Sequence, residues 1–129
     1  MPLRPGLSAC ASMAVSEHDT ARALSTGDVE VLATPRVVSL AEEATVQAVH
    51  GELEGGMTTV GYRVQLDHLA PTAVGGEVRA EATLETIESR RLTFRVAVSD
   101  ARGLVAAGRI TRVVVDRARF LEKAAGGSP

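Results

Sequence analysis

One amphipathic helix, followed by four strand-like runs with only turns between them, leaves few folds open to this chain. The helix begins at Thr34-Pro35. Threonine suits an N-cap, and proline suits the first helical position, where its missing N–H is no loss. The pattern predicts a helix over about 35–50, stopped by Gly51, where glycine accepts a left-handed backbone. At about 100° per residue, Val37, Val38, Ala41, Ala44, Thr45, Ala48 and Val49 gather on one arc. Arg36, Ser39, Glu43, Gln47 and His50 take the opposite side. Glu42 lies at the border of the apolar arc, whereas Glu43 is in the middle of the polar face.

The strands that follow alternate apolar and polar residues. Residues 58–69 put Val60, Tyr62, Val64, Leu66 and His68 on one face. Residues 77–87 turn Val78, Ala80, Ala82 and Leu84 inward, and residues 92–99 turn Leu92, Phe94, Val96 and Val98 inward. Residues 104–116 include Val113-Val114-Val115 and read as a strand buried on both faces, with Gly108 marking a bulge. The turns are tight: Glu88-Ser89-Arg90-Arg91 and Asp100-Ala101-Arg102-Gly103. Upstream, residues 7–15 predict a strand, and Ser16-Glu17-His18-Asp19 predicts a capped short helix over 17–24. An apolar helix face has to cover the apolar face of one sheet. The expectation is an α+β fold in a single domain, 1–129, with 1–6 and 124–129 flexible. Strands do not alternate with helices, so a Rossmann sheet is excluded.

At 129 residues, folding can bury roughly two-thirds of the unfolded surface, enough for one core without disulfides. The net charge is −2, so there is no basic excess for a nucleic-acid backbone. The aromatics are only Tyr62, Phe94 and Phe120, too few for base-stacking platforms. No apolar run approaches a membrane span, and residues 1–15 have no compact apolar core of a signal peptide. Cys10 is the only cysteine, which fits a reducing, cytoplasmic setting. It has no flanking base and reads as a small buried residue rather than a nucleophile. No paired-His or Cys-x-x-Cys spacing suggests a metal.

Three polar residues stand out. Thr34 is either a plain N-cap or a hydroxyl beside a helix terminus whose free N–H groups can hold an oxyanion. Glu42, two turns on, is either a solvated carboxylate or a partly buried one, which is costly unless paired or used. His68 ends an apolar strand face, as a satisfied edge histidine or as a general acid and base. His50, next to Gly51, reads as a helix C-terminal residue, and His18 and Asp67 as exposed groups.

The run VLATPRVVSLAEEAT (31–45) resembles the start of the central helix in hotdog-fold acyl-CoA thioesterases, closest to the fluoroacetyl-CoA thioesterase family. The likeness continues through Thr59-Val60-Gly61, His68, Pro71-Thr72, 75–78, ESRRLTFR (88–95) and 108–112, and covers about 30–122. It implies a hotdog, an antiparallel sheet wrapped around a long central helix, working as a homodimer with its sites near the subunit interface. It implies a catalytic set of Thr34, Glu42 and His68, with Gly61 as the glycine whose backbone meets the thioester and Arg112 as a late-strand binding residue. In the family, fluoroacetyl selectivity goes with aromatic residues in a lid before this helix. Residues 16–33 contain no Phe, Tyr or Trp, so that selectivity is not assigned from the resemblance.

The expected reaction is hydrolysis of a small or medium acyl-CoA, in which CoA is part of the substrate and no cofactor is needed. The alternatives are a non-catalytic acyl-CoA-binding hotdog module and a hotdog enoyl-CoA hydratase or dehydratase. The latter usually has an Asp-x-x-x-x-His-type pair, whereas here His18 and Asp19 are adjacent.

Overall fold

Strand alternation decides which face of the sheet the helix covers. In the computed structural model, which describes residues 3–127, five strands form one antiparallel sheet in the order β1-β3-β4-β5-β2. They are β1 (Ser8–Ala14), β2 (Met57–His68), β3 (Glu77–Glu88), β4 (Arg91–Asp100) and β5 (Gly103–Asp116). Helix α1 (Thr34–Ala48) packs on one face, and a second helix, α2 (Arg117–Ala124), follows β5. Every inward residue expected on β3 and β4 is buried there, with Phe94 the largest. Opposite them lie Val37, Leu40, Ala41, Ala44 and Ala48 of α1. The alanines let helix and sheet approach closely. Leu40 joins the buried face, and Val38 is only half-buried.

The structure departs from the sequence pattern at several points. Helix α1 starts one residue early: Ala33 is the N-cap, it offers no side-chain cap, and Thr34 is already helical. The helix expected over 17–24 is a single 3-10 turn, Glu17–Asp19, although its capping box forms. Beyond it the backbone pairs with the segment before α1 instead: Ala21 N–H donates to Val31 O (2.9 Å) and Ala33 N–H to Asp19 O (2.9 Å). Cys10 is exposed, not buried, because Ala9, Ala11 and Met13 are the β1 residues turned to the core. Strand β5 is not buried on both faces. Val105, Ala106, Ile110 and Arg112 are buried, whereas Val113, Val114 and Val115 are half-exposed. Helix α2 was not expected; Asp116 caps it, its Oδ1 accepting from Arg119 N–H at 3.0 Å. Of the terminal stretches, residues 1–2 and 128–129 lie outside the described residues. Gly6 N–H donates to Leu84 O, and Gly127 N–H to Glu122 O.

Two glycines reveal what the strand pattern hides. On β2, Gly61 pairs with Arg112, but the next paired residue is Arg63, opposite Thr111. Tyr62 is the extra residue of a bulge, and a bulge shifts the alternation by one. Residues directly opposite in an antiparallel pair share a face. Gly61 therefore shares the face of Arg112, and Val64 that of Ile110. Val60 and Tyr62 leave the face that simple alternation gives them, and Gly61 joins Val64, Leu66 and His68 on the helix side. Gly108, by contrast, marks no register break between β2 and β5. A Cβ there would meet Gln65 O at 2.0 Å and Leu66 Cα at 2.8 Å. Both are backbone atoms of β2, so close strand approach is the reason for the glycine. Gly108→Ala is expected to lower unfolding stability by about 1–3 kcal/mol. Urea unfolding checks this, and an unchanged midpoint would refute it.

Candidate active site

The start of α1 is tied down from two sides. Ala33 N–H reaches Asp19 O, and Arg36 Nε donates to Asp19 Oδ1 at 3.2 Å. Hydrogen bonding from the Ser16 backbone, with help from its hydroxyl and from Arg36, holds the Asp19 carboxyl below the usual range. Leu32 N–H donates to Thr72 O, so the segment just after β2 is joined to the same helix start. This brings residue 34 to the end of β2. The Thr34 hydroxyl and His68 Nδ1 share a 2.7 Å hydrogen bond. With the ring proton on Nε2, the hydroxyl donates and the imidazole is placed to draw its proton. His68 Nε2 is buried and has no hydrogen-bond partner among the described residues. A cavity of about 340 Å³ opens here, walled largely by Ala21, Val29, Val31, Leu69 and Pro71. Thr34 thus bonds to an imidazole and caps nothing.

A second group lies further along α1. Glu42 Oε2 accepts from Arg112 Nη1 at 3.0 Å, and their side chains are 33% and 9% exposed. Arg112 also donates from Nε to the Thr59 hydroxyl (2.9 Å) and from Nη2 to Thr59 O (3.1 Å). Burial pushes the Arg112 guanidinium below its usual value, and Glu42 opposes that shift. Gly61 faces the carboxylate: a Cβ there would stand 2.6 Å from Glu42 Oε2. Glu42 is thus half-buried and paired, while Glu43 is exposed. Thr59 was not singled out from the sequence. The shifted alternation on β2 is what points it at Arg112.

The five residues therefore form two groups, Thr34 with His68 and Glu42 with Gly61 and Arg112. Eight residues separate Thr34 from Glu42, about 12 Å along the helix. Seven separate Gly61 from His68, about 23 Å along the strand. Within one chain the two groups do not meet on one bond.

A family model described as fluoroacetyl-CoA-specific thioesterase matches residues 15–118. The chain belongs to this family. It is 34% identical over 100 residues to the fluoroacetyl-CoA thioesterase of Streptantibioticus cattleyicolor, covering 78% of this chain and 72% of that one. Its fold matches a solved structure of the fluoroacetyl-CoA thioesterase FlK with a TM-score of 0.91, at 30% identity and 100% coverage of both chains. A hot-dog-like protein from Thermanaerovibrio acidaminovorans superposes with a TM-score of 0.88 at 25% identity, covering 98% and 96% of the two chains. The expected hotdog fold is thus the fold observed.

Proposed function

We propose that this protein hydrolyses a small or medium acyl-CoA thioester to the carboxylic acid and CoA, as a homodimer in which each site takes residues from both subunits. The observation that carries this reading is the Thr34–His68 pair beside an apolar cavity, with the Glu42–Gly61–Arg112 group too distant to join it within one chain. Strand β2 is at the edge of the sheet, and Tyr62 and Val64 are exposed along it. An open edge strand is a template for antiparallel pairing with a second copy. Pairing that sets Gly61 opposite the partner subunit's His68 puts the two-fold axis between Val64 and Gln65. It brings Glu42 and Gly61 of one subunit to the partner subunit's Thr34 and His68.

In such a site the thioester carbonyl lies at the start of α1 and the Gly61 backbone, where N–H groups stabilise the oxygen as it gains charge. Arg112 fixes one carboxylate oxygen of Glu42, leaving the other to take a proton from the attacking water. The tetrahedral intermediate collapses, the carbon–sulfur bond breaks, and an imidazolium at His68 gives a proton to the leaving thiolate; the proton that Glu42 took from water restores the imidazolium. Water and the thioester are the only reactants. The small apolar walls near Thr34 fit a short or medium acyl chain.

The 2.7 Å hydrogen bond also favours a second route, in which Thr34 attacks with His68 as its base and forms an acyl-enzyme. Rapid-quench mass spectrometry separates the two, since only the second leaves an acyl group on Thr34. Release of free thiol from a panel of short, branched and aromatic acyl-CoAs tests the function itself. Binding without release would favour a non-catalytic module, and addition of water to an enoyl-CoA a hydratase.

Gly61→Ala is a finer test. The added methyl would displace the Glu42 carboxylate, the end of a flexible side chain. Folding is therefore expected to survive while kcat/KM falls by about 10²-fold, the usual result of disturbing an oxyanion contact. Wild-type kinetics in Gly61→Ala would remove Gly61 from the site.

A further inference from the structure

A carboxylate beside an arginine frequently takes two parallel N–H bonds, one on each oxygen, because the guanidinium fork matches the carboxylate edge. Glu42 and Arg112 do not pair that way. Arg112 Nη1 donates to Glu42 Oε2 at 3.0 Å, and no second nitrogen of Arg112 bonds the carboxylate. Glu42 Oε1 has no hydrogen-bond partner among the described residues. Elsewhere on the sheet, Glu85 has both oxygens taken: Arg95 holds Oε2 at 3.0 Å and Arg109 holds Oε1 at 2.9 Å.

The reason lies on β2. Thr59 pairs with Val114, and Gly61 with Arg112, so Thr59 and Arg112 share a face as diagonal neighbours. From there Thr59 takes one whole edge of the guanidinium. Its hydroxyl accepts from Arg112 Nε at 2.9 Å, and its carbonyl from Nη2 at 3.1 Å. Nε and Nη2 together make one two-pronged edge of the fork. Clasped by Thr59, that edge is closed to Glu42, and the guanidinium plane is fixed with Nη1 alone on the carboxylate. The clasp also satisfies donors in a side chain only 9% exposed, where an unpaired N–H is costly. Without the Thr59 hydroxyl, the freed Nε has a strong acceptor close by, the carboxylate that Nη1 already holds.

We propose that Thr59 is a positioning residue for the hydrolysis: it occupies one edge of the Arg112 fork, keeps the Arg112–Glu42 pair single-pronged, and so leaves Glu42 Oε1 open to take the proton from water. The catalytic consequence rests on the thioesterase reading; the clasp does not. Thr59 acts only through Arg112.

Thr59→Val keeps the β-branched shape and the carbonyl and deletes only the hydroxyl acceptor. On the best acyl-CoA from the panel, kcat is expected to fall about ten- to hundred-fold, the usual result of misplacing a catalytic group, with KM within about two-fold of wild type. Thr59→Ser restores the acceptor and recovers most of that loss. In an Arg112→Lys background, Thr59→Val is expected to add nothing, because an ammonium is a point charge with no fork to restrain. A purely structural role predicts the same fold-loss in both backgrounds. That outcome, or wild-type kcat in Thr59→Val, overturns the assignment. A crystal structure of Thr59→Val reads the clasp without any turnover. Arg112 turned to set two nitrogens on the two oxygens of Glu42 supports the proposal, and Nη1 alone on Oε2 overturns it. Failure of the wild-type protein to release thiol from any acyl-CoA overturns the hydrolase reading, and the crystal structure then decides the clasp by itself.

Discussion

His68→Ala is expected to lower kcat for acyl-CoA hydrolysis by about 10²–10⁴, the usual contribution of a positioned general acid and base. The imidazole has one nitrogen on the Thr34 hydroxyl and the other buried beside the cavity, without a partner among the described residues. In the proposed site, that pairing puts a proton acceptor and a proton donor in one ring next to the scissile bond. The loss should fall on kcat more than on KM, because the ring handles the departing thiolate rather than holding CoA. Stability should change little, since the ring is half-buried and gives up one hydrogen bond. Thr34 variants then assign the hydroxyl. If Thr34 only orients the ring, Thr34→Ala is milder than His68→Ala, and Thr34→Ser is close to wild type. If Thr34 is the nucleophile, Thr34→Ala matches His68→Ala. Activity within a few-fold of wild type in His68→Ala would remove the imidazole from the chemistry.

Much of the fold was legible because β3 as far as Leu84 and β4 from Leu92 to Val98 keep a two-residue period, so their inward residues were readable from spacing. β2 was not, because a single extra residue at Tyr62 reverses the alternation, and nothing in MTTVGYRV announces a bulge. The reversal matters to the site, since it turns Thr59 and Gly61 toward Arg112 and Glu42. Glu42 itself was readable as a border residue of the helix, half-buried where Glu43 is exposed. Spacing alone left Thr34 open between a cap and a working hydroxyl, because Thr-Pro is a strong local cap signal; the hydroxyl is drawn to an imidazole 34 residues away. Local propensity yields where a tertiary partner is available. α2 escaped notice because it has no buried residue, and so no apolar stripe to reveal it.

Mixing two inactive variants is expected to restore activity. Glu42→Gln keeps the shape of the side chain but removes the base, so alone it should lose about 10²–10⁴ in kcat, as His68→Ala does. In a symmetric dimer with shared sites, a heterodimer of the two variants has one damaged site and one intact site. The intact site combines the intact Glu42 from the His68→Ala subunit with the intact Thr34 and His68 from the Glu42→Gln subunit. Random exchange of equal amounts makes half the dimers mixed, each with one working site of two, so activity should return to about a quarter of wild type. Sites contained within single subunits would leave every copy broken, and the mixture would stay inactive. Subunit exchange is followed by native mass spectrometry, so an inactive mixture containing abundant heterodimer would refute the shared site. Arg112 fits the same logic. Removing it strands Glu42 without its ion-pair partner, and Arg112→Ala should complement His68→Ala as Glu42→Gln does, because the mixed dimer again holds one site built from an intact Glu42–Arg112 group and an intact Thr34–His68 pair. Pairing Arg112→Ala with Glu42→Gln, by contrast, can rebuild nothing, since both lesions fall in the same half-site.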